Sequence, residues 1–202
     1  MRFSPFATRV FLTFLPMAFI GTMLHEGGHI AVARVLGYST TLHYGSMNWD
    51  AEDWSAVTNG DLHSTLISMG GPLTNMGLGV MGLLWLSRLA RRGHTEFRGW
   101  NMVASILALF WSRQLFNAVL ATAQLVGEGA WNHSDEVKIA RDLGWHPGSI
   151  LWATAVLAAM AIVRTVAHLP KAQRLPFVLG GGTGSLLGYL IWYQALGPLL
   201  LP

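Results

Sequence analysis

Two histidines and a glutamate stand close together near the N-terminus, in the segment His25-Glu26-Gly27-Gly28-His29. This is an H-E-x-x-H pattern, and on a helix residues four apart lie on the same face. Two imidazoles one turn apart can bind one Zn²⁺, and the glutamate between them can take a proton from a water at the metal. The segment therefore predicts hydrolytic chemistry, with His25 and His29 as zinc ligands and Glu26 as the general base.

The motif lies in an otherwise apolar stretch that runs from about Phe6 to Val35. Ionisable residues at bilayer depth are costly, and for that reason they usually mark functional sites. The structural alternative is a set of polar groups paired with neighbouring helices. We favour the functional interpretation, because a structural reason for two histidines and a glutamate in an apolar helix is hard to find.

The composition is that of a membrane protein. Of 202 residues, 52% are hydrophobic and 11% are charged, and the mean hydropathy is +0.41. These values predict an all-α polytopic membrane protein rather than a soluble globular domain. The chain has no cysteine, which excludes thiolate ligands and disulfides and leaves histidines and carboxylates to hold a metal.

The elements that must position the motif are apolar stretches of the length needed to cross a bilayer, about 20 residues each. We predict about five transmembrane helices in a single domain, residues 1–202. The predicted spans are Phe6–Val35, Leu62–Leu89, Trp100–Val126, Ile150–Leu169 and Leu175–Leu199. The first apolar run continues through the metal motif, so we do not expect it to be a cleaved signal peptide. After the first helix, Thr40–Tyr44 is a candidate for a short membrane-associated strand, and a connecting loop is the favoured alternative.

The loop charges predict an orientation and argue against a nucleic-acid partner. The sequence pI is about 9.7, but the basic residues lie beside apolar spans, where they set topology. One side carries Arg2, Arg9, Arg88, Arg91, Arg92, Arg98, Arg164, Lys171 and Arg174. The other side carries Lys138 and Arg141, together with Asp50, Glu52, Asp53, Asp61, Glu128, Asp135, Glu136 and Asp142. The positive-inside rule then places the N-terminus of this multi-pass protein in the cytoplasm.

A second element accompanies the histidine motif. The segment Gly71-Pro72-Leu73-Thr74-Asn75 is a Gly-Pro-x-x-Asn element in the first half of the second span. Together the two elements resemble the site-2 protease family of intramembrane zinc metalloproteases, over roughly the first two thirds of the chain. The resemblance implies a zinc endopeptidase whose partners are the lipid bilayer and membrane protein substrates. It also implies an active site toward the cytosol, whereas the loop charges put the motif near the opposite face.

A catalytic zinc site usually has three protein ligands, so a third must come from elsewhere in the chain. In the family this ligand is an aspartate in a Leu-Asp-Gly element that follows an Asn-x-x-Pro segment. This chain departs there: Asn117-Ala118-Val119-Leu120 lacks the proline, and no Leu-Asp-Gly occurs. The best match is Asp135, in Ser134-Asp135-Glu136. The alternatives are His133, then Glu128 or Asp142.

Other polar residues within the spans have two interpretations each. Asn75 and Asn117 are candidates for stabilising the oxyanion or positioning the substrate, with interhelical hydrogen bonding as the alternative. Arg113, one turn before Asn117, could pair with Glu26 or with a substrate carbonyl, or satisfy backbone carbonyls. We predict packing alone for the ladder Gly180, Gly184 and Gly188, which lets helix backbones approach closely.

The function predicted from these residues is hydrolysis of a peptide bond in a membrane-embedded or membrane-adjacent segment. The alternative is a non-catalytic relative that binds metal or transmembrane partners, which the missing Leu-Asp-Gly and Asn-x-x-Pro elements favour. The retained Glu26 argues against that alternative, because a binding site needs no general base between its histidines. A metal transporter is a third option, but no ladder of histidines or aspartates continues across the other spans.

Overall fold

The computed structural model describes residues 4–52, 54 and 57–202, and it is largely helical. The all-α class predicted from composition is confirmed. The helices are α1 Pro5–Phe14, α2 Met17–Val35, α3 Gly60–Arg91, α4 Gly99–Ala108, α5 Ser112–Glu128, α6 Asp135–Asp142, α7 Gly148–His168, α8 Lys171–Ile191 and α9 Gly197–Leu200. A 3₁₀ turn, Leu109–Trp111, joins α4 to α5, and a π-helical turn, Trp192–Leu196, joins α8 to α9.

Four helical segments are long and apolar enough to cross a membrane, and they match four of the five predicted spans. They are Pro5–Val35, Gly99–Glu128, Gly148–His168 and Lys171–Leu200. The remaining predicted span, Leu62–Leu89, lies in α3, which at 32 residues is long enough but is less apolar than these four. Its glycines, Pro72 and Asn75 lower its hydropathy. This helix packs against α2, α4, α6 and α7, so it lies at the centre of the bundle.

The first span is two helices in line. Ser4 Oγ accepts a hydrogen bond from the Ala7 amide at 3.2 Å, and Pro5 occupies the first turn of α1, where its missing N–H costs nothing. The chain then passes through Pro16 before α2 begins at Met17. This break separates α1, which packs on α8, from α2, which packs mainly on α3.

The glycine ladder of α8 packs closely against another helix, as predicted, and the structure shows that this helix is α1. A Cβ added at Gly180, Gly184 or Gly188 would meet, in turn, the main-chain oxygens of Ala7, Phe11 and Leu15. Each contact is one turn further along both helices. The two backbones are therefore in contact along most of α1, and the ladder serves close packing.

The ends of the helices that carry the predicted cytoplasmic charges meet at one end of the bundle. Arg9 donates a hydrogen bond to the Phe97 carbonyl at 2.9 Å, and the Phe97 amide donates to Gln173 Oε1 at 3.3 Å. Phe97 is the centre of an apolar cluster with Phe14 and Phe177. Arg2 and Asp53, which the charge pattern assigned to opposite sides, lie outside the described residues.

A β-hairpin follows α2 at the opposite end. Its strands, β1 Ser39–Leu42 and β2 Met47–Asp50, pair antiparallel with Ser39 opposite Asp50. The candidate strand is present, although Tyr44 lies in the turn. There the Tyr44 amide donates to the Leu201 carbonyl at 3.0 Å, and its carbonyl accepts from Trp192 Nε1 at 2.7 Å. The hairpin is thereby attached to the end of the last span.

Candidate metal centre

The site is built on a close crossing of α2 and α3. A Cβ on Gly28 would collide with the main chain of Gly70 and with Thr74 Oγ1, and a Cβ on Gly70 would collide with the main chain of Gly28. Both positions are buried. Only glycine at both positions allows the two backbones to touch here, which explains why a helix-weakening residue occurs inside each helix.

This crossing puts the α3 backbone directly against the histidine pair. A Cβ on Gly71 would lie 2.7 Å from both Cε1 and Nε2 of His25, and closer still to Nε2 of His29. The two ring centroids are 4.7 Å apart and nearly perpendicular, at 85°. The glycine of the Gly-Pro-x-x-Asn element therefore makes room for the imidazoles, a role that sequence analysis missed.

Three ligand atoms converge at this point, although Asp135 is separated from His25 by 110 positions in the chain. His25 Nε2 lies 2.9 Å from Asp135 Oδ2 and 3.2 Å from His29 Nε2. The third side of the triangle, from His29 Nε2 to Asp135 Oδ2, is 3.4 Å. A tetrahedral zinc ion with bonds of about 2.0–2.1 Å would hold its ligand atoms about 3.3 Å apart. The donor set and its spacing fit zinc, with the fourth position left for water or substrate.

His29 is held in the tautomer that a metal needs. Its Nδ1 lies 2.6 Å from the Ile67 carbonyl oxygen, a group that only accepts, so Nδ1 carries the hydrogen and donates it. The Gly71 amide also points at Nδ1, at 3.2 Å, but the shorter contact decides the tautomer. Nε2 is then left with its lone pair toward Asp135. Outer hydrogen bonds of this kind fix the ring and raise ligand basicity.

The outer partner of His25 also lies on α3. Its Nδ1 lies 3.3 Å from Nδ2 of Asn75, a side chain that is 1% exposed. The Asn75 oxygen is buried with no partner among the described residues. If Nε2 of His25 binds a metal, Nδ1 carries a hydrogen, and rotation of the amide would turn that oxygen to accept it. Asn75 thus contacts a ligand ring. Its proposed oxyanion role stays a prediction.

Asp135 enters the site from the first turn of α6, a short helix that sequence analysis described only as a loop. Val137, Ile139 and Ala140 bury one face of α6 against the bundle. Two polar contacts tie it to α3. Lys138 Nζ donates to Ser64 Oγ at 2.8 Å, and Thr65 Oγ1 donates to Asp142 Oδ2 at 2.8 Å. The aspartate is thus carried by a helix that is tied to α3 at its middle and at its C-terminal end.

The other candidates for a third ligand lie elsewhere. His133 and Glu128 are exposed, and Gln124 donates to Glu128 at 2.8 Å. Asp142 is exposed and accepts from Thr65. Within residues 4–52, 54 and 57–202, the cluster with metal-ligand spacing is His25, His29 and Asp135.

Glu26 is buried beside these ligands. It is 4% exposed, and its Oε1 lies 4.0 Å from Nη2 of Arg113 on α5. This pairing was one of the alternatives that the sequence left open for Arg113. The Arg113 side chain remains about a quarter exposed, so Glu26 does not cover it completely.

A second buried carboxylate, Glu136, was not anticipated. It is 1% exposed, and the Asn117 amide nitrogen lies 3.3 Å from its Oε2 and 3.5 Å from its Oε1. Burial raises the pKa of Glu136, and the amide of Asn117 opposes that shift. Adjacent acids at the start of a short helix look like solvated residues in a sequence. No local pattern distinguishes the one that is buried. The oxyanion role predicted for Asn117 stays a prediction.

Comparison of the chain with protein-family models, curated proteins and solved structures finds no match. The residues that indicate a function are therefore the side chains of this cluster and the two sequence elements that carry them.

Proposed function

We propose that this protein is an intramembrane zinc endopeptidase of the site-2 protease type, acting on a membrane-embedded or membrane-adjacent peptide segment. The single observation that carries the proposal is the convergence of the H-E-x-x-H histidines with Asp135. A carboxylate from a distant helix completes a three-ligand set beside a buried glutamate. Chance pairing of polar residues does not predict a third ligand atom at tetrahedral spacing.

Each side chain has a role in the proposed reaction. Bound zinc would supply Lewis acidity, lowering the pKa of a water and polarising the scissile carbonyl. His25, His29 and Asp135 hold the ion, and the Ile67 carbonyl and Asn75 hold the two rings. Glu26 takes the proton from the attacking water and delivers it to the leaving amine. Its burial excludes bulk water from that transfer.

The proposal extends to topology. Four apolar helical segments make this a membrane protein, and the charge pattern favours a cytoplasmic N-terminus. His25 precedes the end of α2 by ten residues, which on a helix is about 15 Å. The site then lies within the bilayer, nearer to the hairpin than to the N-terminus. The substrate would be a membrane protein.

The non-catalytic alternative uses the same residues differently. Without a metal, His25 and Asp135 are simply a hydrogen-bonded pair at 2.9 Å, and the site would serve structure or partner binding. That arrangement gives the buried Glu26 no catalytic role and leaves only its contact with Arg113.

The test is cleavage of a panel of single-span reporter proteins in liposomes, with zinc content measured on the same samples. Glu26→Gln should retain zinc and lose cleavage by about 10²–10⁴-fold, the usual contribution of a general base. Glu128→Gln, an exposed glutamate on α5, is the matched control and should cleave as the wild type does. Zinc-loaded wild type that cleaves none of the panel would support the non-catalytic alternative.

A further inference from the structure

A cavity of about 630 Å³ lies between α5 and α8, beside the candidate metal centre. Its size falls in the range of ligand pockets, roughly 300–1,000 Å³. The walls are mostly apolar, and they include Leu120 of α5, Val178 and Leu186 of α8, and Met17 of α2. Because α8 packs on α1 and α2 while α5 packs on α7, the space between α5 and α8 stays open.

Three polar residues of the cavity lining lie next to the site. Asn75, which contacts His25, lines it, as does Thr22, which lies one turn before Glu26 on α2. Arg113 also lines it, with one guanidinium nitrogen 4.0 Å from Glu26. The apolar cavity is therefore bordered by two residues, Asn75 and Arg113, that neighbour His25 and Glu26.

Arg113 is not fully used by the contacts within the chain. Its Nε is buried with no hydrogen-bond partner among the described residues, and its contact with Glu26 is long for an ion pair. A guanidinium inside a membrane protein normally faces a partner or a polar cavity. It has several donors in a fixed fork, so one edge can face Glu26 while another faces a ligand oxygen.

We propose that an apolar segment of the substrate lies in the α5–α8 cavity with its scissile carbonyl oxygen beside the Arg113 guanidinium. Arg113 then donates a hydrogen bond to the oxygen as it gains negative charge during attack by water. A preformed donor in a water-poor site stabilises that charge strongly. This inference rests on the proposed function, and it assigns the path by which the peptide reaches the site.

Occupancy of the cavity by the substrate can be measured without cleavage. Because the chain has no cysteine, an introduced cysteine is its only thiol and can be cross-linked selectively. Ser185 lines the cavity, whereas Thr183, on the same helix, is exposed and is not part of its lining. In the Glu26→Gln background, and with diamide added as the oxidant, Ser185→Cys should form a disulfide with a reporter that carries one cysteine in its apolar segment. Thr183→Cys is the matched control and should react at least tenfold less. Equal reaction at both positions would overturn the placement.

Obstruction of the cavity gives a second readout. A side chain at Gly182 meets nothing within 4 Å, and this residue lines the cavity. A side chain at Gly77, in α3, also meets nothing within 4 Å, but this residue is not part of the lining. Gly182→Phe should therefore reduce cleavage at least tenfold with zinc retained, and Gly77→Phe should not. Unchanged cleavage by Gly182→Phe would contradict the proposal.

The carbonyl contact is tested at Arg113 itself. Arg113→Gln should lower kcat by about 10²–10³-fold, the usual loss for one oxyanion donor, with KM changed less than threefold and zinc content unchanged. Arg113→Lys, which keeps the charge but not the fork, should recover part of kcat. A loss confined to KM, or to zinc content, would assign Arg113 a structural role instead.

Failure of this inference is distinguishable from failure of the proposed function. If the wild type cleaves and Glu26→Gln does not, while the Arg113 and Gly182 variants cleave normally, only the inference is wrong. If the zinc-loaded wild type cleaves nothing, the proposed function is wrong, and the assignment of the cavity to a substrate falls with it.

Discussion

Two helix crossings in this protein use glycine in the same way but serve different purposes. Along α1 and α8, Gly180, Gly184 and Gly188 bring two backbones into contact, and the surroundings are apolar. Between α2 and α3, Gly28 and Gly70 do the same, but the contact is bordered by two histidine rings.

The two crossings differ in the groups that the close approach of the helices positions. In the first crossing each glycine faces a main-chain oxygen, so the gain is packing between helices in a medium that gives no hydrophobic drive. In the second, the backbone of α3 serves the rings directly: Gly71 leaves space for them, and the Ile67 carbonyl accepts from His29. A small-residue crossing becomes a site only when polar groups meet at it.

The largest effect should come from filling the space beside the rings. In Gly71→Ala the new methyl group would collide with His29 Nε2, the atom that faces Asp135, so zinc content should fall at least tenfold. Helix content should be unchanged. Gly77→Ala, in the same helix but in open space, is the control. Metal analysis of both purified variants checks this, and full zinc in Gly71→Ala would refute the role of the crossing.

A smaller loss is expected when the outer partner of His25 is removed. Asn75→Ala deletes the amide that contacts Nδ1, and loss of such a partner typically weakens metal binding about 10–100-fold. Competition with a zinc chelator of known affinity measures the change. Asn75→Asp keeps an acceptor for the ring and should recover part of the affinity. Equal affinity in all three proteins would mean that Asn75 does not orient His25.

The α1–α8 crossing should respond in stability rather than in metal content. Gly188→Ala would press a methyl group onto the Leu15 main chain, and overpacking of this kind costs about 1–3 kcal/mol. Thermal unfolding in detergent should show a lower midpoint than that of the wild type. The folded variant should still contain as much zinc as the wild type. A loss of zinc without a loss of stability would reverse the contrast between the crossings.

The smallest effect is expected at a glycine of α8 that no helix touches. Gly182 has nothing within 4 Å of an added Cβ. Gly182→Ala removes a helix-weakening residue, so the free energy of unfolding should stay the same or rise by up to about 1 kcal/mol. The unfolding midpoint should then be equal to that of the wild type or slightly higher. A destabilisation as large as that of Gly188→Ala would show that close contact is not what the ladder provides.

The parts of this fold that depend on local pattern could be predicted. The pairing of His25 with His29 follows from the helical period, four spans follow from hydropathy, and the ladder on α8 follows from the spacing of its glycines. Asp135 was selected among four candidates through a family resemblance rather than through any geometric argument, and the structure brings it to the two histidines.

What depends on the pairing of distant segments could not be predicted. Nothing local links Gly28 to Gly70, or His29 to the Ile67 carbonyl, because both pairs exist only after α2 and α3 have packed. The prediction treated α3 as one more apolar span, Leu62–Leu89, although its polar residues make it less apolar than the other four spans. Glycine inside a helical pattern was the available signal, since it usually has a packing reason.

The central claim is that His25, His29 and Asp135 form one zinc site. The most direct measurement is zinc content, with X-ray absorption at the zinc edge, on purified wild type, Asp135→Ala and Glu128→Ala. We predict about one zinc per chain in the wild type, bound by imidazole nitrogen and carboxylate oxygen at about 2.0–2.2 Å. Asp135→Ala should lose it, and Glu128→Ala, changed at an exposed carboxylate outside the cluster, should keep it. A wild type without zinc, or full zinc in Asp135→Ala, would contradict the account.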